Sequence, residues 1–300
     1  MLIRNLSKAA LAALTLMLAG CAGGVLDPKG QIGIDEKHLI IVATLLMLIV
    51  VIPVIFMTLY FAWKYRDGRD HEIYAPKWAH SKTIEIVVWV VPIIIVIILG
   101  VITWTSTHDL DPYKPLDHEA TPITVEVVSL NWKWLFIYPE LGVASVNEVA
   151  FPANVPINFK ITSDTAMNSF FIPQLGSQIY SMAGMETQLH LIANEPGTFD
   201  GISANYSGAG FAGMKFKAIA TPTAKDFDAW VAKLKQQGKR LDPQSYQQLA
   251  EESKNNPVEY YGSVSKGMFN HIVMQYMHHD MDMDMSHHSG HSSSKNEGAE

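Results

Sequence analysis

Up to residue 108 the chain is built from unbroken apolar runs, and beyond about residue 120 apolar and polar positions alternate. The first run, Ala9–Leu18, is short and follows Arg4 and Lys8. A basic start and a brief apolar stretch mark an export signal, which is cleaved and is not fold material. The next two runs, Leu39–Trp63 and Ile86–Thr107, carry no charge. Both reach the roughly 20 helical residues that a bilayer core requires. Backbone groups in lipid must pair within their own segment, so the pattern predicts a hairpin of two membrane helices over 38–107, at about 39–63 and 86–107. The loop 64–82 holds Lys64, Arg66, Arg69, Lys77 and Lys82, whereas the outer flanks hold only Lys29, Lys37 and Lys114. That asymmetry puts the loop in the cytoplasm and both chain ends on the other side.

A polar, proline-containing linker follows at 108–120, and then the period changes to two. Ile123–Val127, Ile157–Ile161, Gln188–Ile192 and Phe216–Ile219 read as strands, separated by turn signals such as Asn194-Glu-Pro-Gly197. Short strands at this spacing predict an all-β sandwich over 121–221. From 222 to 277 the period becomes helical. Thr223 and Asp226 fit a capping box, Phe227, Trp230, Val231 and Leu234 form an apolar stripe, and Asp242-Pro243 fits a second helix start. Phe269, Ile272, Val273 and Tyr276 continue at helical spacing. This segment is predicted as a small helical extension packed on the sandwich.

Charge narrows the function. The 300 residues carry 22 basic and 29 acidic side chains, a net charge of −7, which argues against a nucleic-acid partner. The single cysteine, Cys21, permits no internal disulfide and no cysteine-rich metal site. It directly follows Leu18-Ala19-Gly20 at the end of the signal, the pattern of a bacterial lipobox. Residues 1–20 are therefore expected to be removed. Cys21 is expected to be acylated at the head of a segment, 21–37, on the outer face of the inner membrane. The stretch 278–300 contains five histidines and three methionines and is expected to be a disordered tail. Its composition reads either as a solvated terminus or as a weak copper or nickel ligand set. Glu85 opens the second span. By itself it reads as a first-turn acid favoured by the helix dipole, or as an ionisable group on a proton pathway, and the residues alone favour the former.

Two membrane helices followed by an external β-sandwich resemble subunit II of the haem–copper respiratory oxidases, whose sandwich is a cupredoxin. The resemblance rests on Asp27–Gly33, Glu85–Pro92, Asn131-Trp-Lys-Trp134, Met167–Pro173 and Gly197–Gly201, continuing to Met214. It covers nearly the whole chain from about residue 25. In the branch that oxidises cytochrome c, this domain holds a dinuclear copper centre. Carried onto this sequence, its two cysteines fall on Ser203 and Ser207, its glutamate on Asn205, and its histidines on Asn168 and Phe211. Only the methionine persists, as Met214.

Hydroxyls and amides cannot replace bridging thiolates and imidazoles. The resemblance therefore implies no metal in this chain and no cytochrome c partner. It implies the quinol-oxidising branch instead, in which subunit I carries the haems, the other copper and the ubiquinol site. This chain would be a non-catalytic subunit of a proton-translocating ubiquinol:oxygen oxidoreductase. It would scaffold subunit I beside further small membrane subunits and membrane lipids. The resemblance also implies that Glu85 lies at the mouth of a proton-uptake channel, while Trp132, Trp134 and Phe170–Gln178 serve packing. The competing readings are a copper-bearing cytochrome c oxidase subunit II and a periplasmic metal-handling lipoprotein or assembly factor.

Overall fold

The computed structural model describes residues 24–66 and 79–277. Cys21 and the signal segment, positions 67–78 of the basic loop and the tail 278–300 lie outside the described residues. The two apolar runs form helices α1 (Gln31–Lys64) and α2 (Lys82–Asp109), each unbroken through its proline, Pro53 or Pro92. Both are long and apolar enough to cross a membrane, and most of their Ile, Val, Leu and Phe side chains are exposed in this chain. Residues 35–111 form one compact unit; the start of the chain up to Ile34 and everything from Pro112 onward form the other.

The second unit is a two-sheet sandwich. Its strands are β1 (Ile123–Leu130), β2 (Lys133–Tyr138), β3 (Val143–Val146), β4 (Glu148–Pro152), β5 (Ile157–Ser163), β6 (Asn168–Ile172), β7 (Gly176–Ser181), β8 (Thr187–Leu191), β9 (Gly197–Ser203) and β10 (Lys215–Thr221). After them come α3 (Ala224–Gln236), β11 (Arg240–Leu241), α4 (Pro243–Ala250), β12 (Glu259–Tyr261), β13 (Ser263–Val264) and a helix over 268–277. One sheet has the order β12-β3-β2-β1-β5-β8 and the other β4-β10-β9-β6-β7. The pairs β1–β5 and β4–β10 are parallel, so neither sheet is a simple meander.

Between the sheets lies an aromatic core. Trp134 and Phe136 of β2 and Phe159 of β5 meet Phe170 of β6 and Phe216 of β10. Phe170 and Phe216 stack at 5.0 Å between centroids, and Trp134 meets Phe170 edge-on at 5.4 Å. Offset and edge geometries of this kind suit the ring quadrupoles.

A second core lies on the opposite face of the first sheet. Val128, Leu130, Leu135, Ile137, Ala144 and Val146 pack there against Leu241, Tyr246, Leu249, Met268, Phe269 and Ile272 of the extension. Strand β2 is therefore buried on both faces. This explains why Lys133–Tyr138 shows no alternation: a doubly covered strand reads as a continuous apolar run. Lys133 is the polar exception. Its ammonium donates to Glu251 O at 2.8 Å and Ser253 Oγ at 2.7 Å, and burial pulls its pKa down against the pull of Glu259 and Glu251.

Both expected helix starts are capped. The Thr223 hydroxyl accepts from Asp226 N, and the Asp226 carboxylate accepts from Thr223 N at 3.1 Å. Asp242 accepts from Ser245 N at 2.9 Å with Pro243 in the first turn. The extension also supplies β12, an edge strand antiparallel to β3, which its helical periodicity does not predict.

Residues before α1 are part of the sandwich. Lys29 N and Gly30 N donate to Gln174 O at 2.6 and 3.1 Å, and Asn194 N donates to Lys29 O at 2.8 Å. Gly30 pairs with Ala193 in an isolated bridge. A Cβ at Gly30 would lie 2.5 Å from Leu175 O and 2.6 Å from Ile192 O, so this approach admits only glycine.

Candidate functional site

One end of the sandwich gathers the C-terminal ends of β1, β5, β7 and β9 and the start of β6. Small polar residues stand there: Ser129, Ser163, Ser181, Ser203 and Asn168, all buried. They form one hydrogen-bonded network. Ser203 Oγ donates to Asn168 Oδ1 at 3.0 Å, and Asn168 Nδ2 lies 3.5 Å from Ser129 Oγ. Ser129 Oγ is 2.9 Å from both Ser163 Oγ and Ser181 Oγ, and Ser181 Oγ donates to Thr162 O at 2.6 Å. A buried polar group is tolerated when its partners are supplied, and here each member has one.

The loop 204–214 closes this end. Asn205 Nδ2 donates to Met167 O at 3.0 Å, and Ser203 N donates to Met214 O at 3.2 Å. Met214 is buried in the core. Phe211 leaves the network and meets the exposed ring of Tyr206 edge-on at 5.6 Å. Trp132 sits in the β1–β2 turn with a left-handed backbone, φ 63°, uncommon for a bulky residue. Its indole donates to Ser207 O at 3.0 Å, and Lys254 Nζ lies 5.9 Å above the ring. A Cβ at Gly210 would fall 2.3 Å from the same ring, so glycine is what lets the loop press against Trp132. Of the positions singled out from sequence, Asn168, Ser203, Asn205 and Met214 are thus brought together. Ser207 and Phe211 lie further along the loop, against Trp132 and Tyr206.

These donors do not suit a dinuclear copper centre. This end of the sandwich offers hydroxyls and carboxamides already engaged in hydrogen bonds, and no thiolate or imidazole among the described residues. Two polar atoms of this region, Trp134 Nε1 and Ser207 Oγ, are buried with no partner among the described residues, and neither an indole N–H nor a serine hydroxyl holds soft copper. His190, the one histidine of 121–221, lies on β8, where its Nδ1 is 3.1 Å from Pro112 O and its own N–H donates to the same oxygen.

No local pattern singles out Ser129, Ser163 and Ser181, nor Asp164 beside them. Asp164 takes a hydrogen bond from Tyr246 at 2.7 Å on one carboxylate oxygen and from Tyr276 at 3.0 Å on the other. Burial, and then the neighbouring Asp164 charge, raises both phenols, Tyr276 to about 12. The extension is thus clamped to the polar end of the sandwich. Only tertiary pairing brings these residues together, since Asp164 and Tyr276 are 112 positions apart.

Glu85 occupies the first turn of α2, where its amide donates to Ser81 O at 3.0 Å. Its carboxylate contacts the His80 imidazole and is about half exposed. His80 is a second ionisable group at this helix start that the sequence reading did not single out.

Comparison with known proteins places these features. Residues 139–220 match the family model of the cytochrome c oxidase subunit II periplasmic domain, and residues 235–280 match that of the COX aromatic-rich motif. Cytochrome bo(3) ubiquinol oxidase subunit 2 of Pseudomonas aeruginosa is 60% identical, covering 95% of this chain and 85% of that protein. Ubiquinol oxidase subunit 2 of Acetobacter aceti is 56% identical, with coverages of 90% and 88%. Quinol oxidase subunit 2 of Bacillus subtilis is 38% identical, with coverages of 82% and 78%.

Proposed function

The chain belongs to the family of ubiquinol oxidase subunit 2, and on that footing we propose that it is the copper-free subunit II of a terminal oxidase that passes electrons from ubiquinol to oxygen. The observation that carries this reading is the network at Asn168 and Ser203. Where a copper relay would receive electrons from cytochrome c, the chain has hydroxyls and amides bonded to each other. Electrons then reach the complex from a reductant dissolved in the membrane. Subunit I supplies the haems, the copper and the quinol site, and oxygen is reduced to water with protons moved outward.

This chain contributes no catalytic residue. Helices α1 and α2 brace subunit I within the inner membrane, alongside small membrane subunits and lipids. The sandwich covers the outer face of subunit I, with the lip of Trp132, Tyr206 and Phe211 as contact surface. Tyr206, 76% exposed, suits such a role, because aromatic anchors dominate protein interfaces. Glu85 with His80 stands at a proton-uptake mouth. Cys21, after cleavage of 1–20, carries an acyl anchor that supplements the two spans.

The test is the choice of donor. The purified complex should consume oxygen with ubiquinol and show no turnover with reduced cytochrome c. Oxygen uptake supported by cytochrome c at a rate comparable to ubiquinol would overturn the reading.

A further inference from the structure

The extension leaves a cavity of about 440 Å³ beside the first sheet, lined by residues of β2, β11, α4, the loop 251–256 and β12. Of its charged lining residues only Lys133 is buried, at 2% exposure. An ammonium carries three N–H donors. Lys133 uses two of them, both on neutral acceptors, the Glu251 main-chain oxygen and Ser253 Oγ. The third has no acceptor among the described residues. A cation withdrawn from water favours a charged acceptor for its remaining donor. Glu259 is engaged elsewhere: one carboxylate oxygen pairs with Lys239 Nζ at 3.2 Å, and the other accepts from Asn256 Nδ2 at 3.3 Å.

The rest of the lining carries both signs of charge. Arg240, Glu251 and Glu252 line the cavity from exposed positions and form no ion pair among the described residues. With Lys239 and Glu259 neutralising each other, the cavity presents two cations, Lys133 and Arg240, and two anions, Glu251 and Glu252. A simple anion would meet the two glutamates as like charges, and a simple cation would meet Lys133 and Arg240. The walls are fixed before any ligand arrives, as binding cavities of this size usually are. Lys133 holds one end of the loop at Glu251, and Asn147 Nδ2 holds the other by donating to Asn256 O at 2.8 Å. Between them Ser253 Oγ donates to Asn256 Oδ1 at 2.9 Å.

We infer that this cavity binds a small zwitterion of the phosphoethanolamine type, its oxyanion on the third N–H of Lys133 and on Arg240 and its ammonium on Glu251 and Glu252. A phosphate suits the cationic pair, because a guanidinium grips it with two parallel donors and an ammonium adds a point charge. The same chemistry occurs as a free ester and as a lipid headgroup. The site is independent of which reductant feeds the complex.

The purified complex, in detergent and free of aminophospholipid, is titrated by calorimetry with phosphoethanolamine, ethanolamine and inorganic phosphate. Phosphoethanolamine should bind saturably, and each half-molecule about fivefold more weakly or worse, the upper range for loss of one exposed ion pair. Arg240→Gln and Glu252→Gln, both at exposed positions, should each weaken phosphoethanolamine by a similar factor with Tm unchanged. Lys133→Met should abolish binding, with Tm as the check on its fold; if that variant unfolds, the two exposed variants decide. Nanodiscs separate the sources. A higher apparent Kd for the free ester in phosphatidylethanolamine than in phosphatidylglycerol identifies the lipid headgroup as occupant, and an equal Kd identifies the soluble ester. Absence of saturable binding would overturn the proposal, as would inorganic phosphate binding as tightly as phosphoethanolamine, or full affinity in both Arg240→Gln and Glu252→Gln.

Discussion

Trp134→Ala should destabilise the periplasmic body by about 3–5 kcal/mol, the cost of deleting a large buried aromatic. For a unit of this size that corresponds to a fall in Tm of about 10 °C or more. Trp134 is fully buried and touches both Phe170 and Phe216, so its removal opens a void across the gap between the two sheets. The surrounding rings cannot close it without disturbing the Phe170–Phe216 stack. Trp134→Phe is the informative companion. It removes an indole N–H that has no hydrogen-bond partner among the described residues and keeps a ring in place, so its cost should stay below about 1.5 kcal/mol. Thermal denaturation of the detergent-solubilised protein measures both. A Phe variant as damaged as the Ala variant would show that the indole nitrogen, and not ring packing, matters at this position.

Glu85→Gln should slow ubiquinol turnover of the assembled complex by about a hundredfold, the lower end of the range for loss of a positioned proton-transfer group. Glutamine preserves size and hydrogen-bonding capacity and removes only the titratable charge. A carboxylate that merely favours the helix start would contribute about 0.3–1 kcal/mol to α2 and nothing to turnover. Its contact with His80, in a chain otherwise uncharged from Ile86 to Thr107, is what distinguishes it from a generic first-turn acid. The measurement is oxygen consumption at matched haem content. Wild-type turnover with normal haem would remove the role; lost haem would assign Glu85 to assembly instead.

How far the sequence spoke for itself depended on how each element is covered. The two spans were legible because lipid solvates every face of a helix alike. Strands β1, β5, β8 and β10 showed at least partial alternation. Strand β2 did not, because the extension covers its second face. Strands β6, β7 and β9 begin or end in Asn, Gly or Ser, and those polar ends serve the network instead of a pleat pattern. The cap residues Thr223 and Asp242 were readable because a cap is a local hydrogen bond. The Asp164 clamp and the serine framework were not, because each joins residues that are neighbours only after the sheets form. Asn168, Ser203 and Asn205 attract attention only through resemblance to a family in which those positions hold metal; by composition they are ordinary loop residues. The strap at Gly30 carried a partial signal, since Asp27–Gly33 belongs to the resemblance, but nothing local showed that it docks on Gln174 and Leu175.

Whether the end of the sandwich at Asn168 and Ser203 holds copper is the point on which the choice of reductant turns. Anomalous scattering at the copper edge, from crystals of the assembled complex, tests it directly. The structure predicts no peak within bonding distance of Asn168 or Ser203. A pair of copper peaks in that pocket would contradict the account and restore cytochrome c as electron donor.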